Sequence, residues 1–520
     1  MMAKARAKQA KKQAEEAVKD MYNFLSGRIK LGFLYERPKK RSQANRIGGS
    51  TADDAEKEVL TEKYLRLLRF MLSGIMAELS LIEDPRQEGK IKHALPILML
   101  YGILMFLFHI PSRRAANRSL GGSQAADLIR EYVPNFTSMP HADTLERLLQ
   151  RIEGDELEKQ YEKLLKEFLK SDTFLELNPG RMLVACDGTG KFSRDWCWDE
   201  RALNRNAGDP DKERYYVYMM ESVLILDNGM VLPLLTETLE NGKNIANEKD
   251  RQDCELEAFK RLAVRLEKLL GKGRVTLLLD GLYPSGPIIS TCIKYGWEYM
   301  ISLKKDSLKS VWEDFEGLQK IEQDNVLEAK WGERVQQYRW SNGIEYIYGS
   351  NNKVLSLNLV TCMEIWYEES ARKGKPEFKK TEYAWLSSSK LTVENVFERC
   401  TLIARRRWRL ENNFHVEKHD GYSYEHCFSY NWNAMKGYHC LMKFAHFLNT
   451  FIVHSELIAN YVVAESVKGL IEKVWTYICS HGISALYANA PPSASGAKRH
   501  RRRKIRFKDL RLIKTKPIAA

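Results

Sequence analysis

Cysteine is scarce in this chain. Nine occur in 520 residues, an odd number, and no two are spaced C-x-x-C. That pattern argues against a secreted disulfide framework and against a cysteine-built zinc module, and favours a reducing compartment. Glycine (31) and proline (15) are too few for a collagen-like or proline-rich fibre. A Gly-rich phosphate loop, a G-x-S-x-G elbow and an H-E-x-x-H helix are missing, which removes NTPase, hydrolase and zincin readings. Long apolar runs are missing too, with one exception. Ala94 to Ile110 is apolar but for His109, yet its 17 residues, with Pro96 near the start, are at the short limit for a spanning helix. Basic residues flank both ends (Lys92, then Arg113 and Arg114), so the loops carry no orientation signal. It reads as a buried helix of a large domain, and no membrane partner is expected. Met1 to Asp20 is rich in alanine and lysine without an apolar centre, unlike a secretory signal.

What is present is enough to fold. Hydrophobic residues make up 44% and aromatics 10%, which excludes global disorder. At roughly 100–200 residues per domain, the length suggests about three or four folding units. The net charge of +14 is unevenly placed. Residues 1–47 hold 13 Lys+Arg against 4 Asp+Glu, and residues 498–516 hold 11 against 1, which leaves 48–497 mildly acidic. Two basic ends on an ordinary body favour a polyanion, nucleic acid before membrane, although solvated tails without a partner would look the same.

The pattern along the chain divides it. Residues 1–55 read as a basic helix and a linker punctuated by Gly48, Gly49 and Ser50. Residues 56–175 are helical, with a turn at Pro140–Thr144 and helical periodicity from Leu145 to Leu169. From 176 to 305 the pattern is strand, hairpin, helix, strand, helix, strand. Met182 to Cys186 is a short strand broken by Asp187-Gly-Thr-Gly190, and Tyr215 to Leu226 pairs with Met230 to Leu239 across Asp227-Asn-Gly229. Arg274 to Leu279 is a second buried strand, and it ends at Asp280. This predicts an α/β (α+β) core with a mixed sheet. Residues 306–390 read as a β-rich insertion with a turn at Ser341-Asn-Gly343. Helices return over 391–455 and 456–490, before a basic tail at 491–520.

Asp187 and Asp280 each follow a short buried strand, where open α/β sheets bind ligands. Taken singly, each is more often a turn residue or helix cap. A basic segment, Arg405 to Lys418, accompanies them. Arg407 and Glu411 are four apart, and Glu411 and Lys418 seven apart, so one helix face carries all three. A carboxylate flanked by cations is a poor general base but a good metal ligand beside phosphate-binding groups. For any lone R-x-x-x-E, an ordinary surface ion pair is the commoner explanation. His415, His419, His426 and Cys427 suggest zinc only weakly, because no cysteine pair precedes them.

With these residues in place, the sequence resembles the DDE transposases of bacterial insertion sequences that carry the Y-x2-R-x3-E-x6-K signature. Arg, Glu and Lys fall at Arg407, Glu411 and Lys418; the tyrosine position is Ala404, a departure. Further similar segments are Asp187-Gly-Thr189, Asp280-Gly-Leu-Tyr-Pro-Ser285, Gln252-Asp-Cys-Glu-Leu256 and His419 to His426. The resemblance covers roughly residues 90–450. It implies a ribonuclease-H-like catalytic core interrupted by the insertion. Asp187, Asp280 and Glu411 would jointly hold two Mg²⁺ ions, with Mn²⁺ an acceptable substitute, and Arg407 and Lys418 would position DNA. It also implies double-stranded DNA partners, transposon ends and target, bound by a homodimer in the bacterial cytoplasm at the nucleoid. In part of this superfamily a flipped base stacks on a tryptophan; the insertion offers Trp331, Trp340, Trp366 and Trp385, for each of which a buried core role is the commoner explanation. Alanine keeps helix propensity, so Ala404 would leave the fold intact and lose one DNA contact. Two alternatives stay open: a two-metal nuclease without strand transfer, and a copy that binds DNA but no longer cuts.

Overall fold

The computed structural model describes residues 2–37, 54–133, 136–206, 208–209, 211–242, 253–369, 376–464, 466–483, 486 and 505–514. The chain opens with α1 (Met2–Arg28) and a two-residue strand, β1 (Leu34–Tyr35). The centre of the proposed linker and the first part of the C-terminal basic segment lie outside the described residues. Seven helices follow: α2 (Asp54–Leu79), α3 (Leu95–Leu107), α4 (Arg113–Ser119), α5 (Ser123–Arg130), α6 (Ala142–Leu149), α7 (Gly154–Leu169) and α8 (Asp172–Leu177). The single helical run expected from Leu145 to Leu169 is in fact two helices, parted at Gln150–Glu153.

The apolar stretch at 94–110 becomes α3, with every residue but Pro96 buried. Among the described residues no helix is long and apolar enough to cross a membrane. Helix α3 is apolar on all sides because it is enclosed on all sides. It packs on α6 and on a later helix, α13 (Trp432–Val453). Gly102 permits the closest approach: a Cβ there would sit 2.6 Å from Leu441 Cδ1 and 2.9 Å from Leu145 Cδ2.

Between these helices lies the sheet. Its elements are β2 (Met182–Arg194), β3 (Leu203–Arg205), β4 (Arg214–Ile225), β5 (Val231–Leu239), α9 (Glu255–Leu270), β6 (Val275–Leu279), α10 (Gly286–Tyr295) and β7 (Glu298–Ser302). The inserted segment adds α11 (Lys309–Leu318), β8 (Val326–Trp331), β9 (Arg334–Tyr348), β10 (Lys353–Glu369) and β11 (Pro376–Ser387). A π-type turn (Glu398–Ile403) and a 3-10 turn (Ala404–Arg407) lead into α12 (Trp408–His419). After α13 come α14 (Ala459–Ala464) and α15 (Val467–His481).

The result is mixed α/β. Strand order is β1-β8-β9-β10-β11-β7-β6-β2-β4-β3, with β5 also on β4. Strand β6 runs parallel to both β2 and β7, as a β-α-β crossover through α10 requires. The insertion is not a separate sheet, because β11 pairs with β7 and extends the core. Side chains of β2 alternate between two faces. Met182, Val184 and Cys186 join the core containing α9 and α10 residues. Leu183 and Ala185 face the other way, among Val396, Phe397, Cys400, Ala404 and Leu410. Asp187 continues that second set, so it lies on the α12 side of the sheet.

Part of the C-terminal basic segment is built into the core. Ile505, Phe507, Leu510 and Leu512 are buried, Leu512 bridges to Ser455, and the Ile513 N–H donates to the His454 carbonyl at 3.0 Å. Phe507 packs edge-on to Phe168 with 5.1 Å between ring centroids, and lies 5.3 Å from Phe451. Phe507→Ala is therefore expected to destabilise the protein by about 3–5 kcal/mol in urea unfolding, the range for removing a buried phenyl ring. A midpoint like the wild type's would mean that this segment is not part of the core.

Candidate active site

Asp187 does not follow the end of a strand. Although Gly188 and Gly190 suggested a break, β2 runs for 13 residues through both. The glycines serve close packing instead. A Cβ on Gly188 would lie 2.5 Å from Tyr218 Cε1 and 2.6 Å from Glu255 Cδ. Asp280 does stand directly after its strand, β6, and its Oδ1 accepts from the Leu282 N–H at 2.8 Å. The β2–β6 register pairs Ala185 with Leu278. Two residues further on come Asp187, still within β2, and Asp280, just past the end of β6.

Their proximity has an electrostatic consequence. Burial pushes the Asp187 carboxyl up to about 7, and Asp280 and Glu255 push in the same direction. The Gly188 N–H, 2.9 Å from Oδ1, and the Arg407 guanidinium pull it down. Negative charge is therefore under-compensated at this point of the sheet.

Arg407 connects the third carboxylate. Its Nη1 lies 3.4 Å from Asp187 Oδ2 and its Nη2 2.7 Å from Glu411 Oε1. The i,i+4 pair read from the sequence is thus formed, and it also reaches the strand. Lys418 makes no such link: its Nζ pairs with Glu425 at 2.9 Å and lies 5.9 Å from the centre of the Tyr424 ring. Glu255 is held beside the site by the Tyr283 hydroxyl, which donates to Oε2 at 2.9 Å. Both residues lie in segments that carried the family resemblance, but nothing in their spacing indicated that they meet.

Among the described residues no three His, Cys, Asp or Glu side chains are drawn together as a preformed metal cage. The donor chemistry nevertheless fits a hard divalent cation. Asp187, Asp280 and Glu411 offer only oxygens, and Asp187 is half-buried in a field that favours added positive charge.

Ala404 differs from its expected setting. It opens the 3-10 turn, not a turn of α12, and is buried beside Cys400 and Leu410. A tyrosine there would overpack, which typically costs about 1–3 kcal/mol. Ala404→Tyr is expected to lower the melting temperature without raising any cleavage rate; an unchanged melting temperature would show that the ring escapes to solvent. The four tryptophans of the insertion are also poorly placed for stacking a base. Trp340 and Trp385 are buried, and Trp331 and Trp366 are half-buried beneath arginines. The exposed tryptophans are Trp196 and Trp408, the latter next to Arg407 in sequence.

Residues 76–165 match the family described as DDE_Tnp_1-associated, a domain that indicates a DDE-family transposase. The match covers α3 to α7, the helices around the apolar segment, and not the strands that carry Asp187 and Asp280. No curated protein matches the chain.

Proposed function

We propose that this protein is a DDE-type DNA transposase with a ribonuclease-H-like core, which cleaves phosphodiesters at transposon ends and joins the 3′-hydroxyl to target DNA. The observation that carries this reading is Arg407, bonded at once to Asp187 and Glu411, with Asp280, just past the end of the neighbouring strand, acting on Asp187. The match over residues 76–165 supports it independently.

Asp187, Asp280 and Glu411 would hold two Mg²⁺ ions, for which Mn²⁺ could substitute. Bound there, they would supply Lewis-acid activation of a water or 3′-hydroxyl and charge stabilisation for the leaving oxygen of an in-line displacement. The protein's own residues prepare for this. The paired β2 and β6 place Asp187 and, just past the end of β6, Asp280 close together, and α12 carries Glu411. Arg407 sits where its guanidinium can grip a phosphate once the carboxylates are neutralised. The Tyr283 hydroxyl donates to Glu255 and holds it beside the site. The partners would be double-stranded DNA and a second copy of the chain, in the bacterial cytoplasm at the nucleoid.

The test is cleavage of duplexes that contain the sequences flanking the reading frame, with and without Mg²⁺. Metal-dependent nicking followed by joining to a second duplex is the expected result. Nicking without joining would make the protein a nuclease. Tight binding without nicking would make it a DNA-binding protein only.

A further inference from the structure

Away from these carboxylates, three guanidiniums crowd one buried carboxylate on the inserted sheet. Glu364 of β10 is fully buried; it pairs with Arg334 of β9, with Arg405 at 2.6 Å, and with Gln336 Nε2 at 2.7 Å. Arg37, just beyond β1, is the third guanidinium. Its stem lies across Gly332, where a Cβ would sit 2.7 Å from Arg37 Cβ. Aromatic rings hold the guanidiniums in place. Arg37 and Arg405 both lie over the Trp331 ring, at 5.1 and 5.2 Å from its centre. Arg405 also lies 4.4 Å from the Tyr383 centre, and Arg334 4.2 Å from that of Trp366.

One carboxylate cannot balance three guanidiniums. Burial, Arg334 and Arg405 all push the Arg37 guanidinium below its ordinary value, with only partial relief from Glu364 and Tyr383. Arg37 has no hydrogen bond or ion pair among the described residues. Three further donors are buried without an acceptor: Arg334 Nε, Arg405 Nε and Trp331 Nε1. A cluster with excess positive charge and a half-exposed, unpaired Arg37 guanidinium favours an anion at its surface. Planar, ring-braced guanidiniums match the oxygens of phosphate.

We propose that Arg37, Arg334 and Arg405 form a phosphate-binding site on the inserted sheet that takes a backbone phosphate of DNA. The site joins three parts of the chain: the N-terminal segment through Arg37, the insertion through Arg334, and the turn before α12 through Arg405. Arg405 is two residues from Arg407, so a strand anchored here would be tethered close to the candidate active site. This deepens the transposase reading on its DNA-binding side and needs no catalysis.

The test uses the full chain in EDTA, with no metal and no cleavage, so failure of the catalytic reading would not affect it. Arg37 is the residue to change, because Arg334 and Arg405 are needed to pair Glu364. Binding of a random-sequence duplex is followed by fluorescence anisotropy across a salt series. Melting is followed with inorganic phosphate against chloride at equal ionic strength. For Arg37→Gln the slope of log K against log salt should become shallower by about one, the signature of one lost phosphate contact. Arg37→Lys should keep the wild-type slope. Arg37→Gln should melt at or above the wild-type temperature, because it removes a charge from a repelling cluster. Phosphate should raise the melting temperature of the wild type and not of Arg37→Gln. A wild-type slope in Arg37→Gln overturns the proposal for DNA, and if phosphate still protects only the wild type, the site takes the free ion. A lowered melting temperature with an unchanged slope would make Arg37 a packing residue.

Discussion

Asp187→Asn is expected to abolish metal-dependent cleavage while making the metal-free protein more stable at neutral pH. The two effects have one cause. The carboxyl of Asp187 is half-buried, with Asp280 and Glu255 acting on it, and is pushed up to about 7, far above an ordinary aspartate. A carboxyl with a raised folded-state pKa costs nothing below its unfolded pKa, because it is protonated in both states. As pH rises toward 7 the unfolded chain ionises first, and the cost of keeping the folded group grows until it too ionises. The distance from an ordinary aspartate to about 7 bounds that cost at roughly 4 kcal/mol, part of which Asn keeps as a half-buried polar group. The variant should therefore gain stability over the wild type at pH 8, and the gain should shrink steadily as pH falls toward 4. Cleavage should fall at least about a thousandfold, since several kcal/mol of transition-state stabilisation depend on the ligand. Duplex binding in EDTA should be unchanged or slightly tighter, because a negative charge is gone. Melting curves across pH, with single-turnover cleavage, check both halves. If Asp187→Asn cuts at the wild-type rate, the assignment of Asp187 fails. If it loses stability at pH 8, the residue is a structural partner of Arg407 and not a strained ligand.

The residues that read most clearly from the sequence are those whose neighbours in sequence are also their neighbours in space. Asp280 was placed correctly because a run of apolar residues, Val275–Leu279, can only be a buried strand that ends where the carboxylate begins. The hairpin between β4 and β5 read clearly for the same reason, with Gly229 at φ +90° in its turn. Glycine misled where it serves packing and not turning. Asp187-Gly-Thr-Gly190 is strand, since Gly188 makes room for Tyr218 and Glu255. Ser341-Asn-Gly343 is also strand, inside β9, where the partner register shifts between Leu357 and Leu359. The true turn, Gly349–Asn352, carries φ +72° at Gly349 and +47° at Asn352. Contacts across long sequence separations had no such signal. Arg407 with Asp187 spans 220 residues. The docking of Phe507 spans most of the chain, and Arg37 meets Arg405 from the opposite end.

Lys443→Met is expected to destabilise the protein strongly, and to cripple the candidate site without touching it. Lys443 of α13 is fully buried, with Nζ 2.9 Å from Glu221 and 3.2 Å from Glu417. Glu221 also accepts from the Tyr424 hydroxyl at 2.8 Å and from the Thr236 hydroxyl at 2.7 Å. Glu417 lies 2.8 Å from His446 Nδ1. Burial alone would raise both carboxyls, but Lys443, with His439 at Glu221 and His446 at Glu417, holds them below their usual range. Burial lowers His439, so Lys443 is the principal cation between them. The wild-type network therefore contributes above the unfolded glutamate pKa and is lost only as pH falls through depressed values. Methionine would leave two carboxylates facing each other in the core, a loss of about 3–5 kcal/mol. Deprived of Lys443, both carboxyls would titrate high, so the loss should be largest at pH 8 and shrink toward pH 5. Urea midpoints at those two pH values read it directly. The catalytic consequence follows from where the glutamates sit. Glu221 is the cross-strand partner of Asp187, and Glu417 is on α12, six residues after Glu411. The network thus clamps the helix that carries Glu411 onto β4, the strand paired with the one that carries Asp187, and a shift of about 1 Å at such a site costs on the order of a hundredfold in rate. Adding Glu417→Gln to Lys443→Met removes one of the stranded charges and should recover part of the stability, but little of the rate. Equal urea midpoints for Lys443→Met and wild type at pH 8 would show that the ammonium is not the group that holds these elements together.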